Sequence, residues 1–354
     1  MCEWEKNIRK TVPYVAGEQP NQPDMVKLNT NECPYPPAPE VQKIMQEIDT
    51  NKFRLYPDPE ASELIHELAE FYQVETDMVF VGVGSDDVLA NAFLTFFNSE
   101  KPILFPDITY SFYPVWANIY KIKYKTLALD ENFRIKKEDY YIENGGIIFP
   151  NPNAPTGLYE ELDTIEDIIK NNQKSVVIID EAYVDFGGES ALKFVNKYKN
   201  LLVVQTFSKS RSMAGMRIGF AIGNKNLICA MKDVKYSINS YTMNQTAILA
   251  GAASVRNREY FDGVRKKIID TREKTKKRLS ELGFTFPDSK ANFIFATNKN
   301  FDITALFEYL RSKNIYVRHW DAPEIKDYIR ITIGTEEEME KLLKEIKNYK
   351  EALC

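Results

Sequence analysis

Lys209 closes the stretch Thr206-Phe207-Ser208-Lys209, directly after the apolar run Leu201–Val204, and Arg217 follows in Ala214-Gly215-Met216-Arg217-Ile218-Gly219. An ammonium carried at the end of a buried strand loses hydration. This favours the neutral amine, the form that attacks a carbonyl carbon to give a Schiff base. Ser208 and Arg217 bracket that position with a hydroxyl and a planar fork of donors, a combination suited to a phosphate. A solvated strand-end lysine has the same local pattern, so other segments must decide.

Ser175-Val176-Val177-Ile178-Ile179-Asp180-Glu181-Ala182-Tyr183 reads as a buried parallel strand that delivers Asp180 at its carboxyl end. Open α/β sheets bind ligands at that edge. A carboxylate there, near a Schiff-base lysine, suits pyridoxal 5′-phosphate, whose ring nitrogen must stay protonated for the ring to act as an electron sink. The competing reading is an aspartate that caps the next helix. Gly82-Val83-Gly84-Ser85-Asp86 follows another strand and opens a helix over 87–97, so N–H groups at Gly84, Ser85 and Asp86 can face an anion.

With these pieces in register the chain resembles the fold-type I pyridoxal-phosphate aminotransferases, in particular their histidinol-phosphate aminotransferase-like branch. Further segments carry the resemblance in the family's order. They are Leu28-Asn29-Thr30-Asn31-Glu32, Tyr56-Pro57-Asp58-Pro59, Asn151-Pro152-Asn153-Ala154-Pro155-Thr156-Gly157 and Tyr328-Ile329-Arg330-Ile331-Thr332-Ile333-Gly334. The resemblance implies that Lys209 holds the cofactor and that Asp180 faces its ring nitrogen. Tyr183 would donate to the 3′ oxygen, Tyr110 would stack on the ring, and Gly84, Ser85, Asp86, Ser208 and Arg217 would hold the phosphate. Tyr56 of the partner subunit would reach the same phosphate, so a homodimer with shared sites is implied.

On the substrate side the resemblance assigns Arg330 to a carboxylate or phosphate, Arg318 and Tyr14 to the same pocket, and Asn31 to its edge. Two arginines aimed at one pocket suit a phosphate better than a lone carboxylate, although a surface strand arginine is the alternative for Arg318. Two positions depart from the family pattern. Ala154 stands where a second asparagine usually donates to the 3′ oxygen, which should raise the pKa of the lysine's imine and leaves Asn153 to take over. Cys33 replaces another usual asparagine.

The implied activity is ping-pong transamination between an amino donor such as glutamate and a small, phosphorylated keto or aldehyde acceptor, with Lys209 moving the proton as general acid and base. Three readings compete on the same scaffold: an O-phospho amino acid decarboxylase, an aminotransferase making another phosphorylated three-carbon amine such as serinol phosphate, and an aromatic transaminase. A binding protein that lost catalysis is disfavoured, because a scaffold has no need of Lys209, Asp180, Tyr183, Ser208 and Arg217 together.

The elements that must position these residues are strands alternating with amphipathic helices. Strands are expected over 78–83, 102–105, 121–127, 146–149, 175–179, 201–206 and 217–222, a pattern for a doubly wound, mostly parallel α/β sheet. The helical pattern runs unbroken from 244 to about 282, with Gly251 and Gly263 its only breakers, as one long helix bridging to a smaller α+β domain. The expected division is an N-terminal arm (1–30) packing with the small domain, a cofactor-binding domain (31–260) and a small domain (261–354). The resemblance implies an aspartate aminotransferase-like fold.

At 354 residues and 44% apolar content the chain can bury two cores. A net charge of −5 with interspersed signs offers nucleic acid no basic face. Two histidines and four cysteines without metal-ligand spacing do not support a metal site. The opening residues lack the apolar stretch of a secretory leader, and no run is long enough to span a membrane. The expected compartment is the cytoplasm.

Overall fold

Seven apolar runs become a single sheet in the computed structural model, which describes residues 2–353; Met1 and Cys354, the outer ends of the expected arm and small domain, lie outside the described residues. After β1 (Val26–Lys27) come β2 (Val79–Gly82), β3 (Ile103–Pro106), β4 (Tyr124–Leu127), β5 (Gly146–Pro150), β6 (Val177–Asp180), β7 (Leu201–Thr206) and β8 (Gly219–Gly223). The last seven form a sheet in the order β2-β8-β7-β6-β5-β3-β4. All neighbours are parallel except β8, which runs antiparallel to both β7 and β2.

Strand residues alternate between two buried clusters. Val79, Ile147, Ile179 and Val203 face one, and Phe80, Ile148, Ile178 and Val204 face the other. Both faces are therefore covered, which is why the central strands read as continuous apolar runs. The order reverses between β3 and β5, and such a switch point opens a crevice at the carboxyl ends of the strands. β8 matters for the same edge, because its reversed direction brings its beginning, not its end, to the crevice.

The single helix expected over 244–282 is two helices, Gln245–Arg256 and Arg258–Glu281. Asn257 makes the break. Its side chain accepts a hydrogen bond from Tyr260 N at 3.0 Å and donates to Glu40. A side-chain cap of this kind starts a helix afresh without disturbing the apolar period on either side. Gly251 and Gly263, expected as breakers, lie inside the helices.

The remaining strands are β9 (Phe293–Ala296), β10 (Ile315–Tyr316), β11 (Arg318–His319) and β12 (Ile329–Thr332). β11, β12 and β9 form an antiparallel sheet. β10 instead pairs in parallel with β1 of the arm, Val26 opposite Ile315. The helix Glu336–Ala352 starts with a reciprocal cap, Glu338 N to Thr335 Oγ1 at 3.2 Å and Thr335 N to Glu338 Oε2 at 2.7 Å. This C-terminal core also receives Ala154, Tyr183 and Phe186, so the segment after β6 is gripped from both sides. Among the described residues no helix is long and apolar enough to cross a membrane.

Candidate active site

The carboxyl edge of the seven-stranded sheet collects side chains from six strand ends. Gly84 and Ser85 follow β2, Tyr110 follows β3, Asn153 follows β5, Asp180 ends β6, and Ser208 and Lys209 follow β7. Arg217 reaches this edge because it directly precedes the reversed strand β8, where Gly219 pairs with both Gly82 and Thr206.

The anion end is built by close backbone approach. Gly84 has φ +84°, and a Cβ there would sit 2.5 Å from Arg217 Nη2; one on Gly219 would sit 2.3 Å from Ser85 N. Only glycines allow the helix start Ser85–Phe96 and the Arg217 loop to meet in this way. Asp86 joins the two, since its Oδ2 accepts from Arg217 Nη2 at 3.1 Å and its Oδ1 from the Tyr110 hydroxyl at 2.7 Å. The Arg217 side chain stays 45% exposed, with a second, longer bond from Nη1 to Ala214 O at 3.4 Å. Ser208 is buried beside Thr206, whose hydroxyl lies 3.0 Å from its own.

At the other end of the crevice Asp180 is buried. The Tyr113 hydroxyl donates to its Oδ2 at 2.9 Å and Ala182 N to its Oδ1 at 3.3 Å. Burial pushes its carboxyl pKa up to about 6 despite these bonds. Lys209 Nζ donates to the Thr30 carbonyl at 3.0 Å and lies 5.9 Å from the Tyr183 ring centre. Its pKa is lowered to about 8, first by burial and then by the positive charge of Arg330. Asn31 Nδ2 donates to the Tyr183 hydroxyl at 2.9 Å, leaving the Tyr183 proton free to donate onward. Asn31 is itself held by Thr332, whose hydroxyl accepts from Asn31 N at 3.0 Å.

Asn153 has both amide hydrogens committed, to Ile108 O at 3.0 Å and Thr156 Oγ1 at 3.1 Å, and its buried Oδ1 has no partner. What it turns inward is an acceptor. For Asn153 to donate in place of the residue lost at Ala154, one of these two bonds would have to be exchanged.

On the substrate side Arg330 Nη2 donates to Asn29 O at 3.0 Å, and its Nε is buried without a partner. Arg318 lies directly opposite Arg330 across β11 and β12. Tyr14 stacks on Phe112 with ring centres 4.1 Å apart. Tyr56 is set apart from all of these in the single chain: it is 81% exposed and stacks on Tyr241.

Sequence reasoning missed Tyr113, Thr30, Phe112 and Trp320. Tyr113 had a readable signal, three residues after Tyr110 at the start of a helix. Thr30 had none, because it acts through its carbonyl.

The residues present fit pyridoxal phosphate. A cation placed against Asp180 would bring its raised pKa down, the lowered pKa of Lys209 makes its neutral amine more accessible than that of a solvated lysine, and the glycine-lined notch beside Arg217 leaves backbone N–H groups for a phosphate. A mixed, mostly parallel sheet with this lysine at its edge and a small C-terminal sheet beside it defines an aspartate aminotransferase-like enzyme.

The chain belongs to the aminotransferase class I and II family, whose model matches residues 23–346. It is a pyridoxal-phosphate-dependent transaminase. A histidinol-phosphate aminotransferase of Lactococcus lactis subsp. cremoris is 49% identical over 346 residues, covering 98% of this chain and 97% of the relative. Two solved structures share the fold. The histidinol-phosphate aminotransferase of Clostridium acetobutylicum has a TM-score of 0.84 at 22% identity, over 92% of this chain and 99% of that one. That of Sinorhizobium meliloti, in complex with pyridoxal-5′-phosphate, has a TM-score of 0.82 at 21% identity, over 91% of each chain.

Proposed function

We propose that this transaminase moves an amino group between glutamate and a phosphorylated carbonyl partner, with histidinol phosphate as the amine of that pair. The observation that carries the reading is Arg318 directly opposite Arg330 across β11 and β12, with the contacts of both arginines made to a carbonyl and to aromatic rings. Two neighbouring guanidinium groups suit a phosphate dianion. Curated relatives of the same name, about half identical in sequence, support the choice.

In this reading Lys209 would hold the cofactor covalently and its amine would serve as the general acid and base for the substrate's α proton. Pyridoxal phosphate, when bound, supplies the electron sink that makes the substrate's α proton acidic. Asp180 holds the proton on the ring nitrogen. Tyr183 donates to the 3′ oxygen, with its own oxygen fed by Asn31. Tyr110 stacks on the ring, and Gly84, Ser85, Asp86, Ser208 and Arg217 hold the phosphate. Arg330, Arg318 and Tyr14 receive the substrate's anion.

The same reading pairs two chains into a homodimer in which Tyr56 of the partner subunit completes the phosphate site. It divides the chain into an arm (1–30), a cofactor-binding part (31–260) and a smaller part (261–354), and it places the enzyme in the cytoplasm.

The test is a half-reaction. Loaded protein mixed with histidinol phosphate should lose its imine absorption band, and glutamate should do the same. Arg330→Ala should raise KM for histidinol phosphate at least about tenfold, as expected for losing a charged hydrogen bond. Failure of histidinol phosphate to react where glutamate does would refute the substrate assignment.

A further inference from the structure

Trp320 lies two residues beyond Arg318, and the guanidinium carbons of both Arg318 and Arg330 lie over its indole, 5.4 and 5.2 Å from the ring centre. Like charges directly opposite on neighbouring strands repel. Burial foremost, and also the nearby charge of Arg318, lower the pKa of Arg330. Its other direct contacts are neutral: the Asn29 carbonyl at 3.0 Å and the ring of Phe293 at 5.2 Å. Among the described residues the two arginines are met by a carbonyl and by aromatic rings. What two unneutralised guanidinium groups share is therefore a single aromatic ring, and an indole face attracts cations more strongly than any other side-chain ring.

We infer that Trp320 is a specificity-determining positioning residue, whose indole holds both arginines together so that the site prefers a phosphate dianion to a carboxylate. The inference rests on the reading of Arg318 and Arg330 as the substrate's anion site. An aspartate or glutamate in place of the ring would also gather the arginines, but it would neutralise one and leave a site suited to a monoanion. The ring gathers them without spending their charge. A carboxylate, satisfied by one fork, depends less on the second arginine and hence on the ring.

The experiment compares Trp320→Leu and Trp320→Phe with the wild-type holoenzyme, using inorganic phosphate as a competitive inhibitor of the glutamate half-reaction. In Trp320→Leu the inhibition constant of phosphate and the KM for histidinol phosphate should rise about tenfold, the equivalent of losing one or two cation–ring contacts. The KM for glutamate should rise by a smaller factor, and kcat should fall less than either. Trp320→Phe should recover most of the loss. The inference is overturned if phosphate and glutamate weaken by the same factor, if phosphate inhibition does not change, or if phenylalanine serves no better than leucine. Should Trp320→Leu fail to fold, Trp320→Phe against wild type carries the same comparison, with a smaller loss still directed at phosphate. If the wild type turns over no phosphorylated amine, the proposed substrate falls, while phosphate inhibition still decides the role of Trp320.

Discussion

The Tyr113 hydroxyl donates to Asp180 Oδ2 at 2.9 Å from a position with no exposure to solvent. The bond favours the charged carboxylate and so opposes the burial that raises its pKa to about 6. Removing the hydroxyl in Tyr113→Phe leaves only the longer Ala182 N–H bond to oppose burial. A hydrogen bond to a charged group contributes roughly 1.5–3 kcal/mol, or about one to two pKa units. The acid limb of kcat should then move to higher pH, with turnover at pH 7 reduced roughly two- to tenfold. A pH–rate profile checks this, and an acid limb that stays in place would separate Tyr113 from the state of Asp180.

Lys209 sets a second pH dependence, on cofactor attachment. Burial, the largest cause, brings its pKa to about 8, and the neutral amine is the reactive form. Below that pH the neutral fraction rises about tenfold per unit, and above it the fraction levels off. The rate at which cofactor-free protein forms its imine band should follow the same curve. A rate still climbing at pH 10 would mean that the amine is solvated. Lys209→Ala should show no band at any pH.

Glu181, next to Asp180 in the chain, is buried on the opposite side of the sheet. It accepts from Ser190 Oγ at 2.5 Å, Ala191 N at 2.7 Å and Gln205 Nε2 at 2.9 Å. Burial nonetheless pushes its pKa up to about 7 from an ordinary 4.5. Between those values the folded chain binds more protons than the unfolded one, so this contribution is complete below pH 4.5 and is lost as the pH rises to 7. The whole effect is on the order of 3 kcal/mol. Glu181→Gln should therefore lose less thermal stability than wild type between pH 5 and 8. Parallel melting curves across that range would contradict it.

Tyr56, stacked on Tyr241 and almost fully exposed, supplies a test of the shared site. If it completes a neighbouring chain's phosphate site, inactive Tyr56→Ala and Lys209→Ala chains should regain activity when mixed, approaching one quarter of wild type because one site in a mixed pair is intact. Confirmed mixed dimers without activity would argue against sharing.

Strand positions were legible because buried parallel strands are continuous apolar runs. All seven expected runs entered the large sheet, with ends displaced by at most three residues and β7 matching at both ends. The helix break at Asn257 was not legible, since the apolar period continues across it and the signal is a cap whose partner Glu40 is remote in sequence. Ile315–Tyr316 and Arg318–His319 follow one another almost directly, yet β10 pairs with β1 and β11 with β12. Pairing partners are a property of the assembled sheet.

The sequence by itself determined which groups stand at strand ends: Lys209 after β7, Asp180 ending β6, and the glycines after β2. Local apolar runs and turn residues encode where a strand stops, and the side chain at that stop follows from position alone. Only the tertiary structure decided which of these groups meet. The reversal of β8 brings Arg217 beside Gly84, the cores on either side of residue 183 bring Asn31 to its hydroxyl, and the register of β11 with β12 sets Arg318 against Arg330 over Trp320. Each of these meetings joins residues far apart in the chain except the last, and even there the contact depends on strand pairing. Packing and backbone hydrogen bonds across the whole fold choose the partners, and no local pattern carries that choice.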